Sequence, residues 1–280
     1  MGIFKGQFEH YEVYRQLSAL RTASANTLVW HASPLATSNG LHSVSLNSPP
    51  PQPMLLQLDQ QLTLWLNGSQ SLYLDQLAWT ATQTATWIPL SILLFYLIIR
   101  NNDLPGIGGT LLALGLCILL ADQMASTVFK PWVGRFRPTN DPSLMYAVDV
   151  VNGYRSGKFG FFSSHAANTM AIATFLSLLV RQKSLSIWLY SWALLNCWTR
   201  VYLGVHYIGD LLTGTLWGLF VGWVVFKLWL RYCPGVSLRR ERNALRMQFT
   251  AGGYSLGSVH LLIAGIALSY LFIALRSLFV

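Results

Sequence analysis

Six apolar stretches, each close to the length that crosses a bilayer, leave this chain few folds to adopt. They run over about residues 75–99, 106–129, 165–182, 185–204, 207–231 and 256–279. A helix needs roughly 20 apolar residues to span the hydrocarbon. Inside lipid every backbone N–H and C=O must be paired within the protein, so stretches of this kind are helices. Charge is correspondingly scarce, at 10% of the residues, where soluble domains carry about 25%. The expected fold is all-α: a polytopic membrane protein built as a bundle of six transmembrane helices, with Pro89 kinking the first. A short amphipathic helix is expected to lie on the membrane surface ahead of them. Its signal is Leu55, Leu58, Leu62, Trp65 and Leu66, which share one helical face before Asn67-Gly68.

Residues 1–53 have a different character. They are rich in Ser, Thr, Asn and Pro and end in Pro49-Pro50-Pro51-Gln52-Pro53, which reads as a disordered tail dispensable for catalysis. No basic start followed by an apolar core marks a cleavable signal peptide there. The membrane domain is expected over 54–280, with a motif-bearing core at about 106–232 and an extra C-terminal span. A net charge of +9 would point to nucleic acid in a soluble protein. Here the cations flank apolar segments, so the expected partners are the bilayer and an anionic lipid or phosphate, with no nucleic acid. Three cysteines show neither a disulfide framework nor metal-ligand spacing.

Three basic-and-histidine clusters sit at the ends of spans: Lys130 to Pro138 (KPWVGRFRP), Phe161 to Asn168 (FFSSHAAN) and Thr199 to Asp210 (TRVYLGVHYIGD). The second span ends at the first cluster, the third span begins at the second, and the fourth and fifth flank the third. Alternating direction brings all three to one membrane face. The other face receives Arg100, Arg181, Lys183, Arg231, Arg239, Arg240, Arg242 and Arg246, which the positive-inside rule makes cytoplasmic. The site is therefore expected to face the periplasm or exterior from a bacterial inner membrane.

Each cluster alone has an ordinary reading: interfacial anchors at Lys130 and Arg137, a serine N-cap before His165, a structural pair at His206 and Asp210. Together they supply cations at Lys130, Arg137 and Arg200, two histidines, hydroxyls and a carboxylate, the inventory for holding a phosphate and attacking it. His206 and Asp210 stand four apart and meet on one helical face, where the aspartate can fix the ring's tautomer and leave the second nitrogen free. Asp122, about two turns before Lys130 inside the second span, is a functional candidate as an intramembrane acid, with a structural partner such as an arginine near the site the favoured reading. The loop carrying Asp141, Tyr146, Asp149, Tyr154, Arg155 and Lys158 is expected to shape a headgroup pocket.

This order and spacing resembles the type-2 phosphatidic acid phosphatase superfamily, whose signature is lysine-x6-Arg-Pro, Pro-Ser-Gly-His and Ser-Arg-x5-His-x3-Asp. The likeness covers roughly residues 54–232. It implies that Lys130, Arg137 and Arg200 bind the phosphate, with Ser163 and the Ser164 amide completing its cradle. It also implies His206 as nucleophile, Asp210 as its orienting partner and His165 as the acid for the leaving oxygen, with no metal and no cofactor. Phe162, Ser164 and Thr199 depart from the signature, yet Ser164 keeps the backbone amide and Thr199 a hydroxyl. Within the family a lipid substrate is expected, undecaprenyl pyrophosphate first, with lipid A, phosphatidic acid and phosphatidylglycerol phosphate as alternatives. A soluble vanadate-dependent haloperoxidase would share the motifs without the spans. A transporter or lipid-binding protein would share the spans without the chemistry.

Overall fold

A computed structural model describes residues 53–233, 236 and 248–279; the tail at 1–52 and the basic stretch at 239–246 lie outside the described residues. The described chain is helical, with two isolated backbone bridges, Phe136 to Phe159 and Phe249 to Ser255, in place of any strand. In order the helices are α1 (Met54–Leu66), α2 (Leu72–Thr82), α3 (Ile88–Asn101), α4 (Leu104–Gln123), α5 (Ser164–Val180), α6 (Lys183–Tyr202), α7 (Ile208–Tyr232) and α8 (Leu256–Arg276). Seven helices, α2 to α8, thus stand where six spans were expected. Four helical segments reach the length and apolarity needed to cross a membrane: Thr84–Asn101, Leu104–Val133, Ile208–Tyr232 and Leu256–Arg276. Ser164–Val180 is apolar but shorter, and Lys183–Tyr202 carries more polar residues, so among the described residues length and composition alone identify four spans.

The first expected span is two helices. α2 ends at Gln83, and a 3-10 turn over Thr84–Trp87 leads into α3. Pro89 does not kink a helix. It occupies the first turn of α3, where its missing N–H costs nothing. The break lies upstream, where the Thr86 hydroxyl and the Trp87 indole donate to carbonyls of Thr80 and Ala81.

α1 is the expected surface helix. Met54, Leu55, Leu58, Leu62 and Trp65 are exposed along it, while Thr63 is buried against the bundle. Its inward side is polar, and that side reaches the start of α7.

The core is built around α5 and α7, the most extensive helix pair. Gly214, Gly218 and Gly222 recur every four residues along α7, and each faces an α5 backbone carbonyl or its neighbours. A Cβ at Gly214 would sit 2.6 Å from the Ser163 carbonyl oxygen, and one at Gly222 would sit 2.6 Å from that of Ala171. Ala166, Ala167 and Ala171 answer from α5, all fully buried. Small residues on both sides let the two backbones approach closely, the usual basis of helix association in lipid. That approach fixes how the two helix N-termini lie beside each other, and the site is built there.

Candidate active site

Each of the three clusters is shaped by a local break in a helix. α4 passes through a π-turn at Met124–Phe129 before a last helical turn at Lys130–Val133. Gly134, at φ 62°, then ends the helix in the left-handed conformation, its N–H bonded to the Lys130 carbonyl. The π-turn brings Ser126 and Lys130 to the same side: the Lys130 ammonium donates to Ser126 Oγ at 3.2 Å and to Ser164 Oγ at 2.5 Å. π-turns of this kind occur often at functional sites.

α5 starts at the second cluster. Ser163 is its N-cap, with Oγ accepting from the Ala166 amide, and it is fully buried. The hydroxyl that faces the cavity is that of Ser164. Ser163 therefore contributes through the cap and through its N–H, which donates to the Asp210 carbonyl at 3.1 Å. α7 starts at the third cluster, where the Tyr207 N–H donates to Asp210 Oδ2 at 3.2 Å. Two helix N-termini, with first-turn amides that have no acceptor within the helix, converge on one place.

Between them lies a cavity of about 240 Å3 lined by Asp122, Lys130, Arg137, Ser164, His165, Asn168, Thr169 and His206. Five of the eight expected site residues line it; Ser163, Arg200 and Asp210 are packed behind. His165 is the exposed member, while Arg137, Arg200, His206 and Asp210 are buried. An Arg137 terminal nitrogen stands 2.8 Å from His206 Nε2 and donates to the Val205 carbonyl at 2.8 Å. Arginine can only donate, so Nε2 is an acceptor and the ring proton lies on Nδ1. His206 Nδ1 lies 3.5 Å from Asp210 Oδ2, a long contact that a small shift of the ring closes. Burial first, then the Arg137 and Arg200 charges, lower the imidazole to about 4 against the pull of Asp210. The ring is neutral at pH 7, with its Nε2 lone pair accepting from Arg137.

The cations are left wanting an anion. Arg200 Nε donates to Thr199 Oγ1 at 3.3 Å and the guanidinium bonds Tyr154, yet one of its terminal nitrogens has no protein partner. Arg137 Nε has none either. Buried, unpaired guanidinium donors cost several kcal/mol unless an anion answers them.

The structure corrects one expectation about Asp122. Its partner is Ser126, whose Oγ donates to Asp122 Oδ1 at 3.3 Å, rather than an arginine. In the headgroup loop Tyr154 holds Arg200, Arg155 donates to the Thr139 carbonyl, and Lys158 stands over the Phe136 and Phe159 rings. Tyr207 donates its hydroxyl to Asp141 Oδ2 at 2.7 Å; burial and that acceptor raise its pKa. Tyr146 is exposed.

Three residues carry geometry that the clusters did not announce. Gly160 leaves room for the pair behind the cavity: a Cβ there would lie 3.0 Å from Asp210 Oδ2 and 3.2 Å from Arg137 Cγ. Arg135 forks between two carboxylates, Asp210 at 2.9 Å and Asp59 of α1 at 2.6 Å. The sequence signal for Arg135 was a third cation inside the lysine-x6-Arg window; for Gly160 and Asp59 there was none.

The PAP2 superfamily model matches residues 110–234, which contain every one of these site residues except Asp59. A lipid A 4'-phosphatase of Bacteroides thetaiotaomicron is 39% identical over 173 residues, covering 61% of this chain and 77% of that protein. The chain belongs to the PAP2 superfamily. A lipid A 4'-phosphatase of Porphyromonas gingivalis is 37% identical over 180 residues, 63% of this chain and 75% of that protein. Among solved structures, a transmembrane PAP2-type phosphatidylglycerolphosphate phosphatase of Bacillus subtilis superposes with a TM-score of 0.47 at 24% identity. That match covers 64% of this chain and 87% of that one. As a member of the superfamily the chain is an integral-membrane lipid phosphatase, hydrolysing a phosphoric monoester.

Proposed function

We propose that this enzyme removes a phosphate from a lipid A-type glycolipid through a phosphohistidine on His206, with its site opening on the periplasmic side of a bacterial inner membrane. The observation that carries the chemistry is the unpartnered donor set of Arg137 and Arg200 beside a neutral His206 Nε2, at the mouth of two helix N-termini. A phosphate seated there takes the Arg137 and Arg200 donors and the Lys130 ammonium on its non-bridging oxygens. Nε2 attacks phosphorus in line with the bridging oxygen; the N–P bond forms as the P–O bond breaks. His165, the exposed histidine on the cavity wall, gives the leaving oxygen a proton. Asp210 holds the proton on Nδ1 and balances the charge that the ring acquires. Water then attacks the phosphohistidine, His165 takes its proton, and inorganic phosphate leaves. Catalysis of this kind is mostly positioning and electrostatic stabilisation, which several buried cations supply.

The substrate assignment rests on two relatives at 39% and 37% identity that carry the name lipid A 4'-phosphatase. It is helped by Asp122, which lines the cavity and whose carboxyl works against a second phosphate group. The proposed orientation is supported by the cations at the ends of the helices away from the site, Arg100, Arg181, Lys183 and Arg231. The test compares kcat/KM for lipid A, undecaprenyl pyrophosphate and phosphatidic acid in one detergent. A preference for lipid A of about tenfold or more, worth about 1.4 kcal/mol in the transition state, is expected. The same preference for the polyprenyl pyrophosphate overturns the substrate, and acid-quenched enzyme free of covalent phosphate overturns the intermediate.

A further inference from the structure

The Arg135 guanidinium is held on three sides. One terminal nitrogen meets Asp210 Oδ1 at 2.9 Å, the other meets Asp59 Oδ2 at 2.6 Å, and its central carbon lies 3.8 Å above the centre of the Tyr207 ring. Asp210 thus has both oxygens engaged, Oδ1 by Arg135 and Oδ2 by the Tyr207 amide. The other end of the chain of contacts is equally fixed. Asp59 Oδ1 accepts from the Gly209 amide at 2.8 Å, and Thr63 one turn along α1 accepts from the Ile208 amide at 3.1 Å. Two side chains of α1 therefore satisfy the first-turn amides of α7, the helix that carries Asp210. Gly209 leaves space for this, since a Cβ there would lie 2.9 Å from Asp59 Oδ2.

We infer that Arg135 and Asp59 are positioning residues of the phosphatase reaction: through them the surface helix α1 sets the orientation and the effective charge of Asp210, and so of His206. The inference rests on His206 acting as the nucleophile. Arg135 touches neither the cavity nor the ring; it works through the carboxylate. A carboxylate with one oxygen tied to a guanidinium cannot rotate away from Nδ1, and a shared cation draws off part of the charge that it would place on the imidazole. A cap or strut whose only role was to hold the fold would leave the electrostatics of the ring untouched. The charged and titratable groups facing His206 are Asp210, Arg137, Arg200 and His165, so a change at Arg135 reaches the ring through Asp210.

The test follows from the opposite charges of the two residues. In Arg135→Gln, Asp210 bears its full charge on His206, and the ring titrates at higher pH than in the wild type. In Asp59→Asn, Arg135 serves Asp210 alone, and the ring titrates at the same or lower pH. Arg135→Lys retains the cation and keeps the titration near that of the wild type. Histidine ring nitrogen resonances of the full-length protein in detergent report the midpoint, assigned by their loss in His206→Gln. For Arg135→Gln, kcat falls about tenfold or more with KM within about twofold, as for other misplacements of a catalytic group. Arg135→Lys restores part of that loss. If Arg135→Gln does not fold, the direction of the Asp59→Asn midpoint still decides. An unmoved midpoint in Arg135→Gln, an upward one in Asp59→Asn, or an unchanged kcat in Arg135→Gln overturns the inference. Because the midpoint is read without substrate, it stands apart from the substrate comparison above.

Discussion

Gly160→Ala is the smallest change that reaches the heart of the site without touching a reacting group. Gly160 carries no left-handed φ, so alanine meets no backbone strain there; the whole effect is the added methyl. That methyl would lie 3.0 Å from Asp210 Oδ2, 3.2 Å from Arg137 Cγ and 3.6 Å from His206 Nδ1, where ordinary contacts begin at 3.4 Å. A few tenths of an ångström must be found, and neither close neighbour is a free end. Asp210 is fully buried and bonded at both oxygens, while the Arg137 fork is anchored to the Val205 carbonyl and His206. Overpacking of this kind costs on the order of 1–3 kcal/mol of stability. Displacing the orienting carboxylate or the clamp by such a distance should lower kcat about tenfold, since a full 1 Å misplacement costs about a hundredfold. Gly157→Ala, three residues earlier in the same loop and facing open space, is the control and should match the wild type. Phosphate release and thermal unfolding of both variants in one detergent make the comparison. A Gly160→Ala enzyme within twofold of the wild-type kcat refutes the reasoning, and an equal loss in Gly157→Ala refutes its location.

Three further outcomes are expected. His206→Gln should abolish turnover and covalent phosphate together, with unfolding temperature little changed; residual activity above a few per cent would remove the nucleophile from His206. The depressed His206 pKa, about 4 against an ordinary 6.5, keeps the ring neutral in the folded enzyme while the unfolded chain takes up its proton. That ring should therefore cost stability as pH falls from 6.5, by on the order of 3 kcal/mol in total, with no further loss below about 4. Unfolding of wild type against His206→Gln between pH 8 and 4 isolates this term, and equal slopes would contradict it. Gly218→Leu should destabilise the protein by about 3 kcal/mol or more, because its side chain meets the Ala167 carbonyl and, at 2.8 Å, Met170 Cβ. A stable Gly218→Leu protein with full activity would mean that the α5–α7 approach is not what aligns the two cluster ends.

Much of this enzyme is written locally. Apolar length announces the helices, and the positions of the three clusters at helix ends, with the lysine-x6-Arg and His-x3-Asp spacings, name the phosphate machinery before any coordinate is known. Helical periodicity likewise announces α1, since its apolar face is a property of that segment alone. What the chain could not disclose locally is everything that depends on close approach between segments far apart in sequence. Gly214, Gly218 and Gly222 look like ordinary helix residues until the α5 carbonyls stand against them, and Gly160 looks like a loop glycine until Asp210 and Arg137 close over it. The resemblance gave the cradle Ser163 and only the amide of Ser164; the N-cap geometry ties the Ser163 hydroxyl to the amide of Ala166 and leaves Ser164 lining the cavity. The break at Gln83 and the π-turn before Lys130 fall inside apolar stretches whose pattern runs through both without a mark. Asp59 and Arg135 are 76 positions apart, so only the docking of α1 on α7 could make them partners. Hydrogen bonds and ion pairs fall away within a few ångströms, whereas apolar periodicity is read along the chain itself; that difference in range divides what the sequence determined from what the tertiary structure decided.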